Sequence, residues 1–372
     1  MKIVVATDSF KGSLSAEKAC SIIAAAIAEH LPAVRVVEKP MADGGEGTAK
    51  AMIAARNGEW IPRTAMGPLP EMEVEAGFAW FGDTRTALVE MACASGIELL
   101  EREQLNPLKT TTYGTGQLIE CALGMQPDEI LLAVGGSATV DAGIGAAMAL
   151  GWKFADGQGN AIGLGGGEIE RIEKIIPPPD KIDCKVKVLS DVDNPLCGQN
   201  GATKVFGPQK GADPDMVERL DSAIGKLSGR IQADLGIEVR DLPGAGAAGG
   251  LAAGAVAFMN AEIVSGIDTI IKECNLEAEL HDADWIMTGE GKFDDQSLNG
   301  KVISGVVQMA KQTNTKVVVI AGEVQLGSEQ YSEFGITAAF SLKKEDMATE
   351  YAMRNSEKLL KQSVREFMET VQ

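Results

Sequence analysis

Several features that define other protein classes are missing from this chain of 372 residues. Aromatic residues make up only 5% of it. No apolar run approaches the ~18 uninterrupted residues that a membrane-spanning helix needs. The N-terminus begins with the strand-like run Lys2–Ala6 and has no charged-then-apolar leader. We therefore expect a cytoplasmic protein that does not bind membranes.

Metal-binding and redox patterns of histidine and cysteine are also missing. The two histidines, His30 and His281, are too few and too far apart for a zinc site or a Ser–His–Asp triad. The six cysteines include no CxxC pair, so buried free thiols are the favoured interpretation over a metal or redox site.

An excess of positive charge is missing, because 53 Asp and Glu against 34 Lys and Arg give a formal net charge of −19. A protein that binds nucleic acid or an anionic membrane in general uses Lys and Arg against phosphate, so neither is an expected partner. A phosphorylated small molecule is not excluded, since it responds to the charges of one local site.

What the chain does have is length, glycine and apolar residues. At 372 residues it exceeds the usual size of one hydrophobic core, which predicts two domains. Its 43 glycines and 45% apolar residues are typical of an α/β protein with tight turns and close helix–sheet packing.

Strand and helix patterns alternate at both ends of the chain. Two βα units occupy the first seventy residues, and strands near 284–288, 316–320 and 336–340 alternate with helices at 301–312 and 350–368. Alternation of this kind predicts parallel pairing. The two ends therefore predict one doubly wound parallel-sheet domain, formed by residues 1–67 and 283–372.

The middle of the chain, residues 68–282, is predicted to be an inserted α/β domain. It holds a hairpin of 74–79 with 85–90 and strands at 129–134 and 185–189. Ligands of such sheets bind at the carboxyl ends of the strands, so we expect the active site in the cleft between the two domains.

Five glycine-rich or acidic turns follow strand-like runs and are the candidates for chemistry. They span residues 8–13, 42–48, 135–141, 190–195 and 288–297. The pattern of strand, turn and helix offers backbone N–H groups to an anion. Each turn also has an ordinary interpretation as a capped, flexible or solvated turn, and the P-loop pattern GxxxxGK[ST] is absent.

The chemistry of these turns fits phosphoryl transfer. In the first two, Lys11 could neutralise an anion, and Asp43 and Glu46 could hold a hydroxylated substrate or the water of Mg²⁺. In the last two, carboxylates lie beside lysine or in Asp-x-Asp spacing, as Mg²⁺ and a transferring phosphate require. The Asp-x-Asp pair is not followed by the Thr that a phosphatase would carry, since Asn194-Pro195 comes next.

The stretch Gly244–Gly249 satisfies GxGxxG, with Asp268 further on. A dinucleotide fingerprint needs a buried strand before it, and residues 237–243 are charged and end in proline. Close packing of an Ala/Gly-rich helix over 247–258 explains these glycines better.

At these same turns the sequence resembles the bacterial type I glycerate kinase family from end to end. The matching segments in order are ATDSFKGS at 6–13, PMADGGEG at 40–47, GTG at 114–116, GGSATVD at 135–141, SDVDNPL at 190–196, FGPQKG at 206–211, GAGAAGG at 244–250, TGEGKFDDQS at 288–297 and Gly300-Lys301. Each segment alone is weak evidence for the family, whereas the whole set in this order is specific to it.

The resemblance implies a kinase that transfers the γ-phosphate of ATP to D-glycerate with Mg²⁺. The expected product is 2-phosphoglycerate rather than 3-phosphoglycerate. It also implies a flavodoxin-like domain made by both chain ends, plus an α/β insert. A homodimer is one candidate assembly, and the sequence leaves the oligomeric state open.

Residue roles are hypotheses based on turn chemistry. Asp191 is the predicted base, and Lys11 and Lys292 are predicted to neutralise phosphate oxygens. The predicted Mg²⁺ ligands are Asp193, Glu290 and Asp295. The predicted substrate- or nucleotide-binding residues are Asp8, Ser9, Asp43, Gly44, Gly45, Gly135, Gly136, Ser137, Thr139, Asp141, Gly289 and Lys301.

Two other function classes stay open on the sequence alone. An oxidoreductase acting on the same hydroxy acid would use the GxGxxG stretch and bind a nicotinamide cofactor. A non-enzymatic sensor would hold a small anion, although clustered carboxylates are a poor environment for one.

Overall fold

A computed structural model describes residues 1–298 and 300–370. Asn299, Val371 and Gln372, which belong to the predicted C-terminal segment, lie outside the described residues. The strands are β1 (Lys2–Val5), β2 (Arg35–Glu38), β3 (Glu59–Met66), β4 (Glu73–Phe81), β5 (Thr86–Glu90), β6 (Glu129–Ala133), β7 (Lys153–Ala155), β8 (Lys174–Ile176), β9 (Lys185–Leu189), β10 (Glu262–Val264), β11 (Trp285–Thr288), β12 (Lys292–Phe293), β13 (Lys316–Ala321), β14 (Glu323–Val324) and β15 (Ile336–Ser341).

Helices follow most strands and complete the predicted alternation. They are α1 (Ala16–His30), α2 (Thr48–Arg56), α3 (Ala92–Ser95), α4 (Tyr113–Leu123), α5 (Ile144–Ala149), α6 (Ala202–Phe206), α7 (Pro214–Leu235), α8 (Leu251–Met259), α9 (Gly266–Glu273), α10 (Leu276–Leu280), α11 (Val302–Thr313), α12 (Ser328–Glu333), α13 (Thr349–Arg354) and α14 (Ser356–Thr370). No helix within residues 1–298 and 300–370 is both long and apolar enough to cross a membrane.

The chain divides into two compact units. The first, here called the terminal unit, comprises Met1–Asp43, Lys50–Asn57 and the chain from Ser265 onward. The second, here called the central unit, comprises Gly44–Ala49 and Gly58–Val264.

The terminal unit is built on a five-stranded parallel sheet. Its strand order is β15-β13-β11-β1-β2, and every neighbouring pair is parallel. Numbered along the chain, this order is 2-1-3-4-5, which is the flavodoxin-like order. The predicted α/β class is confirmed, and both ends of the chain contribute strands to the same sheet.

One face of this sheet is covered by α1 and α14, which pack against each other. Ile3, Val5, Met287 and Val318 share a buried cluster with apolar residues of these two helices. The alternate residues of each strand face the opposite side, and α11 packs against β11 and β13. Burial on both sides explains why β13 reads as the nearly continuous apolar run 316–321.

The central unit contains a six-stranded mixed sheet of order β10-β9-β6-β5-β4-β3. The four strands from β10 to β5 are parallel, and β4 is antiparallel to both of its neighbours. The predicted hairpin is confirmed, because Ala79 pairs with Leu88 and Phe81 with Thr86.

The unit boundaries differ from the predicted ones at 67/68 and 282/283. The structure places them at 57/58 and 264/265, and it also assigns residues 44–49 to the central unit. The sequence prediction missed β3, which pairs with β4 along all eight of its residues. It also left out of the terminal unit α9 and α10, which pack against α11.

Candidate active site

The first group of predicted residues lies at the carboxyl end of the terminal sheet. Asp8 follows β1, Asp43 follows β2, and Glu290 follows β11. The backbone N–H of Asp8 donates to the carbonyl of Gly289 at 2.8 Å, which continues the pairing of β1 with β11. In the 2-1-3-4-5 order, the chain adds β2 on one side of β1 and β11 on the other, so the strand order reverses between β1 and β11. This switch point is where such sheets bind ligands.

These three carboxylates influence one another electrostatically. Burial raises the pKa of Asp8 to about 7, and the negative charges of Asp43 and Glu290 contribute to the rise. The N–H of Ser9 donates to Asp8 Oδ1 at 2.5 Å and opposes that shift. A carboxyl group with a pKa near neutral pH can hold or release a proton under working conditions.

Glu290 is buried, with 9% of its surface exposed. Burial raises its pKa, while the Ser297 hydroxyl and the Lys301 ammonium oppose the shift. Its Oε1 is buried and has no hydrogen-bond partner within the part of the chain that the structure describes. A buried acceptor left without a donor marks a place where a cation or a donor group could bind.

The two lysines predicted to neutralise phosphate oxygens are at the surface of the terminal unit, whereas Lys301 is half-buried. Lys292 is exposed and forms an ion pair with Asp294 at 2.8 Å. Lys11 is exposed in the turn after β1, and a side chain on Gly291 would lie 3.3 Å from its amide nitrogen. Asp295 is exposed and begins a short 3₁₀ turn.

Gly289 has a packing reason as well as a proposed binding role. A Cβ on this residue would lie 1.8 Å from the carbonyl oxygen of Ile320. Only glycine therefore lets β11 approach β13 so closely at its carboxyl end. The candidate binding role of Gly289 stays a prediction.

The second group of predicted residues lies at the carboxyl end of the central sheet. Gly135 follows β6, and its N–H donates to the carbonyl of Gly44 at 3.3 Å. A Cβ on Gly135 would lie 2.5 Å from the Cα of Gly45. Gly44 in turn adopts a φ of +88° and lies close to Leu189, the last residue of β9. Two predicted turns are thus packed backbone to backbone, which requires glycine.

Glu90, which no prediction singled out, fixes this arrangement. It is the last residue of β5 and is 5% exposed. Its carboxylate accepts the N–H of Gly47 at 3.3 Å and also the N–H of Ala49. It therefore satisfies amides at the start of α2, as a negative charge at a helix N-terminus does.

Asp141 is fully buried and holds the 135–141 turn together. Its carboxylate accepts from the N–H groups of Thr112, Gly143 and Gly145, at 2.8, 3.1 and 3.3 Å. The hydroxyls of Thr112 and Thr111 also donate to it. Burial raises its pKa despite these bonds. These contacts give Asp141 a structural role, and direct binding of substrate stays a prediction.

A buried lysine completes this turn. Lys210 is 1% exposed, and its Nζ donates to Ser137 Oγ at 2.6 Å and to the carbonyl of Thr139 at 2.8 Å. Burial lowers its pKa to about 7, and the nearby charge of Asp141 opposes this effect. Lys210 lies within the FGPQKG segment, so the family resemblance was the only sequence signal for it.

Asp191 and Asp193 follow β9 in the same central unit. Asp191 is half-buried and Asp193 is exposed. The preceding residue, Ser190, donates its N–H to the carbonyl of Val264 at 3.0 Å, which continues the pairing with β10. The turn is therefore anchored at the end of a parallel strand, as predicted.

The predicted metal ligands do not form one preformed cluster. Within residues 1–298 and 300–370, no group of three or more His, Cys, Asp or Glu side chains is arranged to hold a metal ion. Glu290 and Asp295 belong to the terminal unit, and Asp193 belongs to the central unit. Mg²⁺ commonly takes one or two carboxylates plus substrate oxygens, so the buried Oε1 of Glu290 fits such a cation.

The GxGxxG stretch has no strand before it, as predicted, but its helix begins later than predicted. Residues 236–246 contain no strand, and α8 begins at Leu251 rather than at 247. Ala248, Gly249 and Gly250 all have positive φ, which delays the helix. A Cβ on Gly249 would lie 1.9 Å from the carbonyl oxygen of Thr139. These glycines serve close packing, and the structural context of a dinucleotide site is missing.

The sequence is similar to that of known glycerate kinases along nearly its whole length. Residues 3–372 match the model of the Glycerate kinase family. A protein of Escherichia coli strain K12 named glycerate 2-kinase is 44% identical over 92% of this chain and 90% of its own length. A glycerate kinase of Halalkalibacterium halodurans is 42% identical over 98% of this chain and 96% of its own length.

A solved structure extends the similarity to the fold. A crystal structure from Salmonella typhimurium LT2, provisionally assigned as glycerate kinase 2, is 41% identical. It matches this chain with a TM-score of 0.88 and covers 100% of this chain and 98% of its own. Sequence and fold therefore agree along the whole length.

Proposed function

The chain belongs to the glycerate kinase family, and from this premise we propose that it phosphorylates the 2-hydroxyl of D-glycerate. The donor is ATP and the product is 2-phosphoglycerate. The observation that carries this proposal is the end-to-end match, which includes 44% identity to a protein named glycerate 2-kinase. The position of the matching turns at the carboxyl ends of parallel strands in both sheets supports it.

We propose Mg²⁺ as the cofactor, with Glu290 as the carboxylate that fits it best. Its buried Oε1 has no partner in the described residues, and carboxylate oxygen is a preferred donor for this hard cation. Asp193 and Asp295 remain proposed ligands. When bound, Mg²⁺ supplies positive charge to the phosphate oxygens.

The remaining roles belong to side chains of the chain itself. Asp191 accepts the proton of the attacking hydroxyl from its anchored position after β9. Lys11 and Lys292 bring positive charge to phosphoryl oxygens, and both are exposed enough to reach a ligand. Phosphoryl transfer depends mostly on such positioning and charge neutralisation.

We propose a cytoplasmic location, which fits the use of ATP and the presence of six free cysteines. No nucleic acid or membrane is a proposed partner, because a net charge of −19 opposes binding to phosphate-rich surfaces. We also propose a homodimer, which is tested by measuring the molar mass in solution by light scattering.

The proposed activity is tested by ADP release with D-glycerate, ATP and Mg²⁺, followed by phosphorus NMR of the product. We expect 2-phosphoglycerate. Asp191→Asn should lower kcat by about 10²–10⁴-fold, because a general base contributes an effect of this size. The matched control is Asp180→Asn, on an exposed loop of the same unit, with unchanged kcat.

Folded protein without ADP release would contradict the kinase proposal, and 3-phosphoglycerate as product would contradict the site of transfer. An Asp191→Asn variant with kcat close to that of the wild type would remove Asp191 from the role of base.

A further inference from the structure

Lys210 is an unusual residue to find in the interior of a protein. It ends the short 3₁₀ turn Pro208–Lys210 and is 1% exposed. The next residue, Gly211, has a φ of +89°, and a Cβ there would lie 2.3 Å from the carbonyl oxygen of Leu105. The backbone next to Lys210 is therefore closely packed and requires glycine.

The burial of this ammonium is unfavourable for stability. Its two hydrogen-bond acceptors are neutral oxygens, the hydroxyl of Ser137 and the carbonyl of Thr139. A buried charge supported mainly by neutral oxygens destabilises a fold relative to an apolar side chain of similar volume. Packing alone would be served better by methionine, so the lysine has another reason to be there.

The contact changes what Ser137 can do. When Ser137 Oγ accepts from Lys210, its own hydroxyl hydrogen remains available to donate to another group. The contact with the carbonyl of Thr139 fixes the backbone two residues further along the same turn. Lys210 therefore sets both the hydrogen-bonding direction of Ser137 and the shape of the turn that carries it.

A second hydroxyl of the same turn belongs to Thr139. Thr139 Oγ1 is buried, its residue is 0% exposed, and no hydrogen-bond partner is found for it in residues 1–298 and 300–370. Two hydroxyl donors thus lie on one turn after β6, which also presents the glycine backbone of 135–136. An oxyanion is the ligand class that accepts hydrogen bonds from such groups.

We propose that Lys210 is a positioning residue, which holds the hydroxyl of Ser137 as a hydrogen-bond donor to an oxyanion of the substrate. That oxyanion is either the carboxylate of glycerate or a phosphoryl group of ATP. This inference rests on the proposed function and deepens it, because it assigns a ligand-binding role to one turn.

The test is a double-mutant cycle of Lys210→Met and Ser137→Ala, with KM measured separately for glycerate and for ATP. Each single variant should lower kcat/KM for one of the two substrates by about 10–100-fold. The double variant should be no worse than either single one, because Lys210 acts through Ser137. A loss confined to glycerate assigns the carboxylate, and a loss confined to ATP assigns the phosphoryl group.

Stability and activity together separate this role from a purely structural one. Lys210→Met leaves the buried carbonyl of Thr139 without its donor and should lower Tm, but a purely structural lysine would not also lower kcat/KM for one of the two substrates. Lys2→Met is the matched control, since Lys2 is another buried lysine, ion-paired with Glu279 and Asp282. It should lower Tm and leave kcat/KM within about twofold, since Lys2 lies at the opposite end of β1 from Asp8.

Additive losses in the double variant, or a Ser137→Ala variant with wild-type kcat/KM, would overturn the proposal. If Lys210→Met does not fold, Lys210→Gln keeps an N–H donor and is tested in the same cycle. Wild-type turnover is measured first, so that absence of ADP release contradicts the proposed function alone. Calorimetric binding of glycerate and of ADP to the same four proteins then tests the positioning role by itself.

Discussion

Asp8 and Asp141 are two largely buried aspartates at the carboxyl ends of two sheets, and their surroundings are opposite. Asp141 accepts hydrogen bonds from three backbone N–H groups and two threonine hydroxyls. Asp8 accepts from Ser9 and is repelled by Asp43 and Glu290. Burial raises the pKa of both. A carboxylate whose acceptor capacity is used by donors of its own unit, such as Asp141, stabilises structure. A carboxylate surrounded by other acids, such as Asp8, keeps acceptor capacity for a ligand.

The largest expected effect is on the stability of the central unit, when Asp141 is replaced by Asn. The substitution replaces one accepting carboxylate oxygen by an amide NH₂ group, which would point at N–H and O–H donors and could not accept from them. We expect a loss of about 3 kcal/mol in the free energy of unfolding, because several hydrogen bonds to a buried charge are broken or reversed. Urea unfolding measures it, and Asp180→Asn is the exposed control. A loss below about 1 kcal/mol would remove the contrast with Asp8.

The next effect is on activity, when Glu290 is replaced by Gln. The variant should lose about 10²-fold in kcat/KM, because a charge that supports the transferring group is removed. Its Tm should be equal to or above that of the wild type, because the substitution neutralises a buried charge whose Oε1 has no donor among the described residues. Glu333→Gln on the exposed end of α12 should change neither quantity. Lower Tm with unchanged activity would make Glu290 a structural residue like Asp141.

The third effect is a pH-dependent change in Tm for Asp8→Asn. The pKa of Asp8 is about 7 in the folded chain and 3.8 in its ordinary state. Between these values the folded state binds more protons than the unfolded one, so the wild type loses stability as pH rises. The variant lacks this loss.

Melting curves of the two proteins in metal-free buffer give the measurement. The Tm advantage of Asp8→Asn should be absent below a pH of about 4, grow as pH rises towards about 7, and then level off. Asp346→Asn, at an exposed position, should show no such trend. An advantage that does not change with pH would mean that Asp8 is not protonated in the folded protein near neutral pH.

Local sequence patterns predicted much of the fold. The strands β1, β6, β9, β11 and β13 are apolar runs bounded by turns, and the structure places them within about a residue of their predicted bounds. Their burial on both faces makes the signal strong. The strand β3 was missed because five of its eight residues are exposed and one is Pro62. It lies at the edge of its sheet, where proline and charged residues are tolerated.

The sequence predicted the turns of the candidate site but not the distant residues that contact those turns. The sequence identified Asp8, Glu290, Ser137 and Asp191 because glycine-rich or acidic turns follow strands. It could not identify Glu90 or Lys210, because their partners are distant in sequence. Glu90 contacts Ala49, 41 residues away, and Lys210 contacts Ser137, 73 residues away. It also gave Asp141 a binding role, although the structure surrounds that carboxylate with donors of its own unit.

The sequence alone determined the strand–helix alternation, the order of the acidic turns and the family, because these depend on residues close together in the chain. Only the tertiary structure decided which carboxylates keep free capacity, which are used internally, and which lysine is buried. Those properties depend on burial and on contacts between distant segments, and a pKa or a hydrogen-bond direction exists only once these segments pack. Lys210 and Ser137 illustrate this, since neither residue alone indicates that the other will orient it.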